Sequence, residues 1–234
     1  MRDQYVGDIS DVLKFAFLRA LTNQNNKTLG VAWYYMQEND GGMDGCHIEW
    51  QGEDAWKRLD HELYIGLVGL PKRSVAELEK AAIWPNGTLF YRDPIPHSTG
   101  RADWVKGMHT ALDRADIVFL DPDNGLGTTR KHAMLSEIEE LKRPNRSIVF
   151  ITFPGRKPHK LLVQELHQKF SQNADAGNVM TLRTNVSLRH GSGSYVPRSR
   201  WFTVVNPDEE LKRRAQEFVV SLNKIQRVKA CLDT

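Results

Sequence analysis

The chain has 234 residues, a net charge of +3, a hydrophobic fraction of 40% and a charged fraction of 26%. That length suffices for one domain with a full core, since roughly 70% of the unfolded surface is buried near this size. No apolar run approaches the ~20 residues of a membrane span, and the opening MRDQYVGDISDVLKF has no continuous apolar stretch of the secretory kind, so a single cytoplasmic domain over 1–234 is expected, with no membrane.

In chain order, Asp8 precedes Val12, Leu13, Ala16, Phe17, Ala20 and Leu21, a three-and-four spacing that predicts a capped amphipathic helix from about 8 to 22. Within it Lys14 lies nearly over Asp11, which suits a local ion pair. TLGVAWYY (28–35) has no polar interruption and reads as a strand covered on both faces, followed by a glycine-rich loop at 39–45. Helical periodicity marks 53–66, 74–83 and 101–114, and TLFYRD (88–93) reads as a short strand. DIVFLDPDNG (116–125) is a buried strand ending at a carboxylate, with a helix over 131–142 behind it. SIVFITFP (147–154) repeats the pattern with a helix over 159–170.

This rhythm predicts an α/β fold with a doubly wound, largely parallel sheet, whose ligands lie beyond the carboxyl ends of the strands. The segments 179–186 and 201–207 have no helix between them and predict an antiparallel edge. A last helix, 208–222, opens at Pro207-Asp208 and turns Leu211, Ala215, Phe218 and Val219 inward. Trp33, Trp56 and Trp104 read as core. Cys46 and Cys231, far apart and outside any metal or disulfide spacing, read as structural thiols.

Three groups of residues are able to carry chemistry. In Asp121-Pro122-Asp123-Asn124-Gly125 an apolar strand ends in two carboxylates and an amide, which places polar groups at the mouth of a cleft because they would not be buried unpaired. Asp121, Pro122, Asp123 and Asn124 are therefore the catalytic candidates, although the same residues also make a good turn. Arg156 and Lys157 after one strand, and Arg189, His190, Arg198 and Arg200 between the last two, form basic loops with Tyr195 among them. They suit phosphate contacts beside a stacking ring, so nucleic acid is the expected partner, with ordinary solvated loops as the alternative. Asp44 and Asp93, with Asp40 and Glu49, are strand-end acids of the kind that hold ribose hydroxyls. His47, His61, His97, His109 and His132 show no metal-binding spacing.

Gly7-Asp8-Ile9-Ser10-Asp11-Val12-Leu13-Lys14 resembles the GN-x-x-DVLKH stretch that opens the large-subunit ribosomal-RNA adenine N6-methyltransferases, and LDP at 120–122 is similar to the strand end that carries their DPPY motif. SIVFITFP and RWFTVVNP resemble later strands of that family in order, and the LDP strand also resembles that of the three-cysteine-motif partner proteins. The matched positions are Gly7, Asp11, Val12, Leu13, Lys14, Asp121 and Pro122. The resemblance implies a Rossmann-like methyltransferase fold and S-adenosylmethionine as cofactor over the first strands; Gly7, Asp8 and Lys14, with the strand-end acids Asp44 and Asp93, are the candidates for the cofactor side. It further implies methyl transfer to an exocyclic amine of a nucleic acid. Such an amine is a poor nucleophile, and Asp121 Oδ and the Pro122 carbonyl would accept its protons and orient it.

The chain departs from the family at Phe15, which replaces a His, and at Asp123-Asn124, which replace a Pro-aromatic pair. No G-x-G loop follows the first strand. Two other readings stand beside the methyltransferase. One is a phosphodiester enzyme with Mg²⁺ on Asp121 and Asp123, joined by Asp44 or Asp93. The other is a degenerate methyltransferase fold kept as a nucleic-acid- or protein-binding subunit.

Overall fold

The computed structural model describes residues 1–22, 26–38, 42, 45–97, 99–154, 158–171, 179–189 and 193–234. The apolar runs become strands because each must be covered on two faces. β1 (Leu29–Trp33), β2 (Leu89–Tyr91), β3 (Ile117–Asp121) and β4 (Ser147–Thr152) pair in parallel. β5 (Val179–Arg189), β6 (Tyr195–Val205) and β7 (Val228–Asp233) add antiparallel ladders, giving the order β2-β1-β3-β4-β6-β5-β7.

Strand alternation divides the core. Val31, Trp33, Phe119, Val149 and Ile151 face one helical layer, made of α1 (Ile9–Thr22), α2 (Asp54–Leu59), α3 (His61–Val68), α4 (Val75–Lys80) and α8 (Glu209–Leu222). Ala32, Val118, Leu120, Ile148 and Phe150 face the other, made of α5 (Arg101–Ala111), α6 (Leu135–Leu141) and α7 (His159–Ser171). A strand buried on both sides has no polar alternate positions, which is why β3 and β4 read as unbroken apolar runs. Burying each large side chain here contributes ~1.5–3 kcal/mol relative to leaving it exposed. Trp33, Trp56 and Trp104 all lie in these cores. The α/β doubly wound sheet with an antiparallel edge is the observed architecture.

Boundaries differ where local chemistry overrides periodicity. The helix over 53–66 is two helices, because Asp60 takes an extended backbone (φ −152°, ψ 103°) and caps α3 by accepting from Leu63 N at 3.0 Å. Arg19 holds the same carboxylate at 2.6 and 3.3 Å. α6 starts at Leu135 rather than near 131, since the preceding segment folds back on itself. There Asn124 N donates to Lys131 O at 3.0 Å and Ala133 N donates to Gly125 O at 2.9 Å. β7 was not expected from the sequence; it pairs with β5 and becomes the outermost strand of the antiparallel edge. Cys46 and Cys231 are both exposed, not buried structural thiols, because each lies in a surface segment.

The β5–β6 hairpin positions the site. β6 pairs with β4 only from Val205 to Trp201, but with β5 it continues to Tyr195. An arm of six β6 residues, about 20 Å of strand, therefore overhangs the carboxyl end of the parallel strands. Among the described residues no helix is long and apolar enough to cross a membrane.

Candidate functional site

The site is built on the amino end of α1. Gly7 takes a positive φ of 81°, a conformation glycine adopts without penalty, and its N–H donates to Asp11 Oδ2 at 2.8 Å. Asp8 accepts from Ser10 N and Ser10 Oγ at 2.9 and 2.8 Å and from His47 N at 3.0 Å, so it caps the helix and ties the 46–48 segment to it. Asp11 Oδ1 stands 2.6 Å from Lys14 Nζ, and that ammonium donates to both oxygens of Asp121 at 3.1 Å. Asp11, Lys14 and Asp121 are 1%, 5% and 3% exposed. Burial pushes the Asp11 carboxyl up to about 6 against the pull of Lys14, and the neighbouring Asp121 charge adds to the rise. Burial works against the Lys14 charge, yet the two carboxylates outweigh it and hold its pKa above the ordinary lysine range.

This triad opens on a cavity of about 560 Å³ at the carboxyl ends of β3 and β4, within the usual range of ligand sites. Asp121, Pro122, Asp123 and Asn124 line it, as do Asp8, Lys14, Arg198 and Arg200. Arg200 Nε donates to Ser10 Oγ at 2.7 Å, which joins the hairpin arm to α1. Gly7 is not on the wall, because its N–H is directed to Asp11 and its carbonyl accepts from Trp50 Nε1 at 3.0 Å. Asp93 is exposed beyond β2, and Arg189 lies at the far end of the arm beside a separate groove with Trp50 and Arg227. Asp40, Asp44, Arg156, Lys157 and His190 fall outside the described residues.

The second aspartate has different partners. Asp123 Oδ1 accepts from the Met1 ammonium at 2.7 Å, and Oδ2 accepts from Arg2 Nε at 3.4 Å. The Met1 ammonium also reaches Tyr34 O at 2.8 Å and Asp121 O at 3.3 Å, so it lies between the ends of β1 and β3. That is where the strand order reverses and where a doubly wound sheet takes its ligand. Met1 and Arg2 are 2% and 5% exposed. The two aspartates therefore do not share a metal-binding arrangement: each carboxylate is already neutralised by a separate cation. Among the described residues there is no group of three or more His, Cys, Asp or Glu able to hold a metal ion.

Tyr5, Ser10, Asp11, His47, Lys131, His132 and Phe153 also line the cavity and were not singled out as site residues from sequence. Asp11 carried a signal, its three-residue offset from Lys14. Phe153 carried none, since it closes an apolar run that reads wholly as core.

No protein-family model and no curated protein matches this chain. A solved Legionella pneumophila protein of family-model DUF519 superposes over 97% of each chain with a TM-score of 0.50 and 11% identity. What the two share is the fold. A SAM-dependent methyltransferase from Agrobacterium tumefaciens is similar over 85% of this chain and 62% of its own, at 13% identity and a TM-score of 0.41, a likeness too slight to carry weight.

Two outcomes follow from the triad. Lys14→Ala leaves two buried carboxylates without their cation and is expected to lower unfolding free energy by ~3–5 kcal/mol in urea melts; a loss under ~1 kcal/mol would contradict the buried network. The second concerns pH. Because the folded-state pKa of Asp11 is raised, the folded protein holds that proton more tightly than the unfolded chain. The stability it contributes is fully present below the ordinary carboxylate range and is lost as pH rises to about 6. Urea midpoints of Asp11→Asn should thus lack this decline, and identical pH profiles for the two proteins would refute the assignment.

Proposed function

We propose that this chain is a methyltransferase-like protein whose cavity receives an exocyclic amine of a nucleic-acid base. The observation that carries the reading is Asp121, held at the end of β3 with both oxygens on Lys14 and facing the cavity beside Pro122. Each carboxylate oxygen has two acceptor sites, so the lysine leaves capacity for an incoming N–H. An ammonium on both oxygens fixes the rotamer of the acceptor. Asp121 and the Pro122 carbonyl would then orient the nitrogen, and positioning of this kind supplies most of the rate in such a transfer. Arg198 and Arg200 at the rim support a polyanionic partner.

S-adenosylmethionine is the donor that the resemblance implies. The crevice between β1 and β3, the expected position for a ligand of this fold, is filled by Met1 and Arg2, and the sequence after β1 has no G-x-G spacing. The residues as they stand thus fit the amine half of the reaction and do not fit the donor half. That misfit favours a second reading, a methyltransferase fold that binds nucleic acid without transferring a methyl group.

Calorimetry with S-adenosylmethionine and S-adenosylhomocysteine separates the two. Heat from both ligands is expected of the enzyme; oligonucleotide binding without cofactor heat leaves the binding subunit. If the enzyme reading holds, Asp121→Ala should lose ~10²-fold or more in turnover while cofactor affinity stays within a few-fold. Unchanged turnover would remove Asp121 from the chemistry. For the polyanion, Arg198→Ala should weaken binding evenly across sequences and reduce the slope of log K against log salt by about 1. An unaltered slope would make Arg198 ordinary surface.

A further inference from the structure

DPDNG brings no ring to the cavity, for Asp121, Pro122, Asp123 and Asn124 are its contributions to the wall. A planar base held only by hydrogen bonds at one edge would be free to tilt. The neighbouring strand provides the missing surface. Val149 and Ile151 of β4 face the layer that contains α1, and strand alternation carries that face on to Phe153, one residue past the end of β4. Phe153 is 36% exposed and lines the cavity together with Asp8 and Ser10.

The register of β6 explains what holds the ring. Trp201 pairs with Thr152, so Arg200 falls beside Phe153, and its guanidinium lies 5.0 Å from the ring centroid. A cation on one face of the ring is attracted to its π electrons. Arg200 is itself fixed by its bond to Ser10 Oγ at 2.7 Å, so the ring is braced from the amino end of α1. An exposed phenylalanine with no function is common. This one stands on a wall otherwise rich in charged and polar groups, within the same cavity as the Lys14 and Asp121 pair. The other large ring there, Tyr5, is already packed closely on Gly45, whose added Cβ would meet the Tyr5 ring at 2.7 Å.

We propose that Phe153 is the stacking surface for the base that presents its amine to Asp121, with Arg200 as the positioning residue that braces the ring. This rests on the amine-site reading and narrows it: the ligand is an unpaired nucleobase, since a base inside a duplex offers no free face. Aromatic stacking of one base is worth enough for an affinity change of about 10-fold or more on removal of the ring.

The test uses the full chain and a short fluorescein-labelled oligoadenylate, with an abasic oligomer of equal length as control, read by fluorescence anisotropy. Wild type should prefer the base-bearing oligomer. Phe153→Leu, which keeps an apolar side chain but no π face, should lose about 10-fold in affinity for it and little for the abasic control. Phe153→Trp should retain binding, which a purely structural role at this position would not demand, and both variants should melt with the wild type. Leucine binding as well as phenylalanine, or wild type binding both oligomers equally, overturns the stacking role while leaving the amine site to the Asp121→Ala result. Wild type that binds neither oligomer, nor the same sequence as a duplex, removes the stacking role and the nucleic-acid reading together. Preference for the duplex assigns Arg198 and Arg200 to backbone contacts and overturns the role given to Phe153.

Discussion

One ammonium between two carboxylates holds this molecule's working end together. Taking Lys14 and its two partners out of water costs several kcal/mol per ion before their attraction returns any of it, and a well-packed apolar filling is often as stable or more so. The arrangement is tolerable here because the missing hydration is replaced contact by contact: Gly7 N–H on Asp11, the Lys14 ammonium on both Asp11 and Asp121, and the positive end of the α1 dipole beside the first-turn carboxylate. What is not replaced appears as the raised pKa of Asp11, which comes first from burial and then from the neighbouring Asp121 charge. A buried polar cluster with a perturbed group at the mouth of a cavity is what a functional site looks like, and what a stability device need not be.

The sheet makes that cluster possible by bringing distant segments to one end. Parallel pairing of β1, β3 and β4 puts their carboxyl ends side by side, so Trp33, Asp121 and Ile151 reach the same level and Phe153 stands two residues beyond it. A further parallel strand would have placed its own carboxyl end there. Because β6 is antiparallel, it instead brings its first half past that level, and Arg198 and Arg200 arrive from a strand that then turns back into the core as Phe202 and Val204. The acidic group and the basic groups thus come from strands of opposite direction, which keeps Lys14 as the near partner of Asp121 while the arginines stand at the rim.

Much of this was legible in the residues. The unbroken apolar runs of β3 and β4 required two covering layers, and a carboxylate closing such a run had to sit at an opening. The start of α1 was visible in Asp8 and in the three-and-four spacing after it. Other features were hidden for physical reasons. Periodicity over 53–66 passes through Asp60 without a break, and only the backbone there shows that a cap outweighs the pattern. β7 alternates Val228, Ala230 and Leu232 inward, but Lys229, Cys231 and Asp233 between them read as a polar tail. Phe153 was masked by success: an apolar residue at the end of a core strand looks like more core. The partners of Asp123 lie 121 and 122 positions away, a separation that no local pattern reveals.

That last pair lies at the switch point of the sheet, between the ends of β1 and β3. The two aspartates of DPDNG have separate partners, since Asp121 accepts from Lys14 of α1 whereas Asp123 accepts from Met1 and Arg2 at the crevice between β1 and β3. A ligand entering that crevice must displace the Met1 ammonium from Asp123 and from the Tyr34 and Asp121 carbonyls, and must move Arg2. The displaced contacts include charge-assisted bonds, which are the stronger class and are costly to leave unmade in a buried place. Met1 and Arg2 thus occupy the space between the carboxyl ends of β1 and β3, and the length of chain between them and Asp123 makes this contact a product of the sheet's topology.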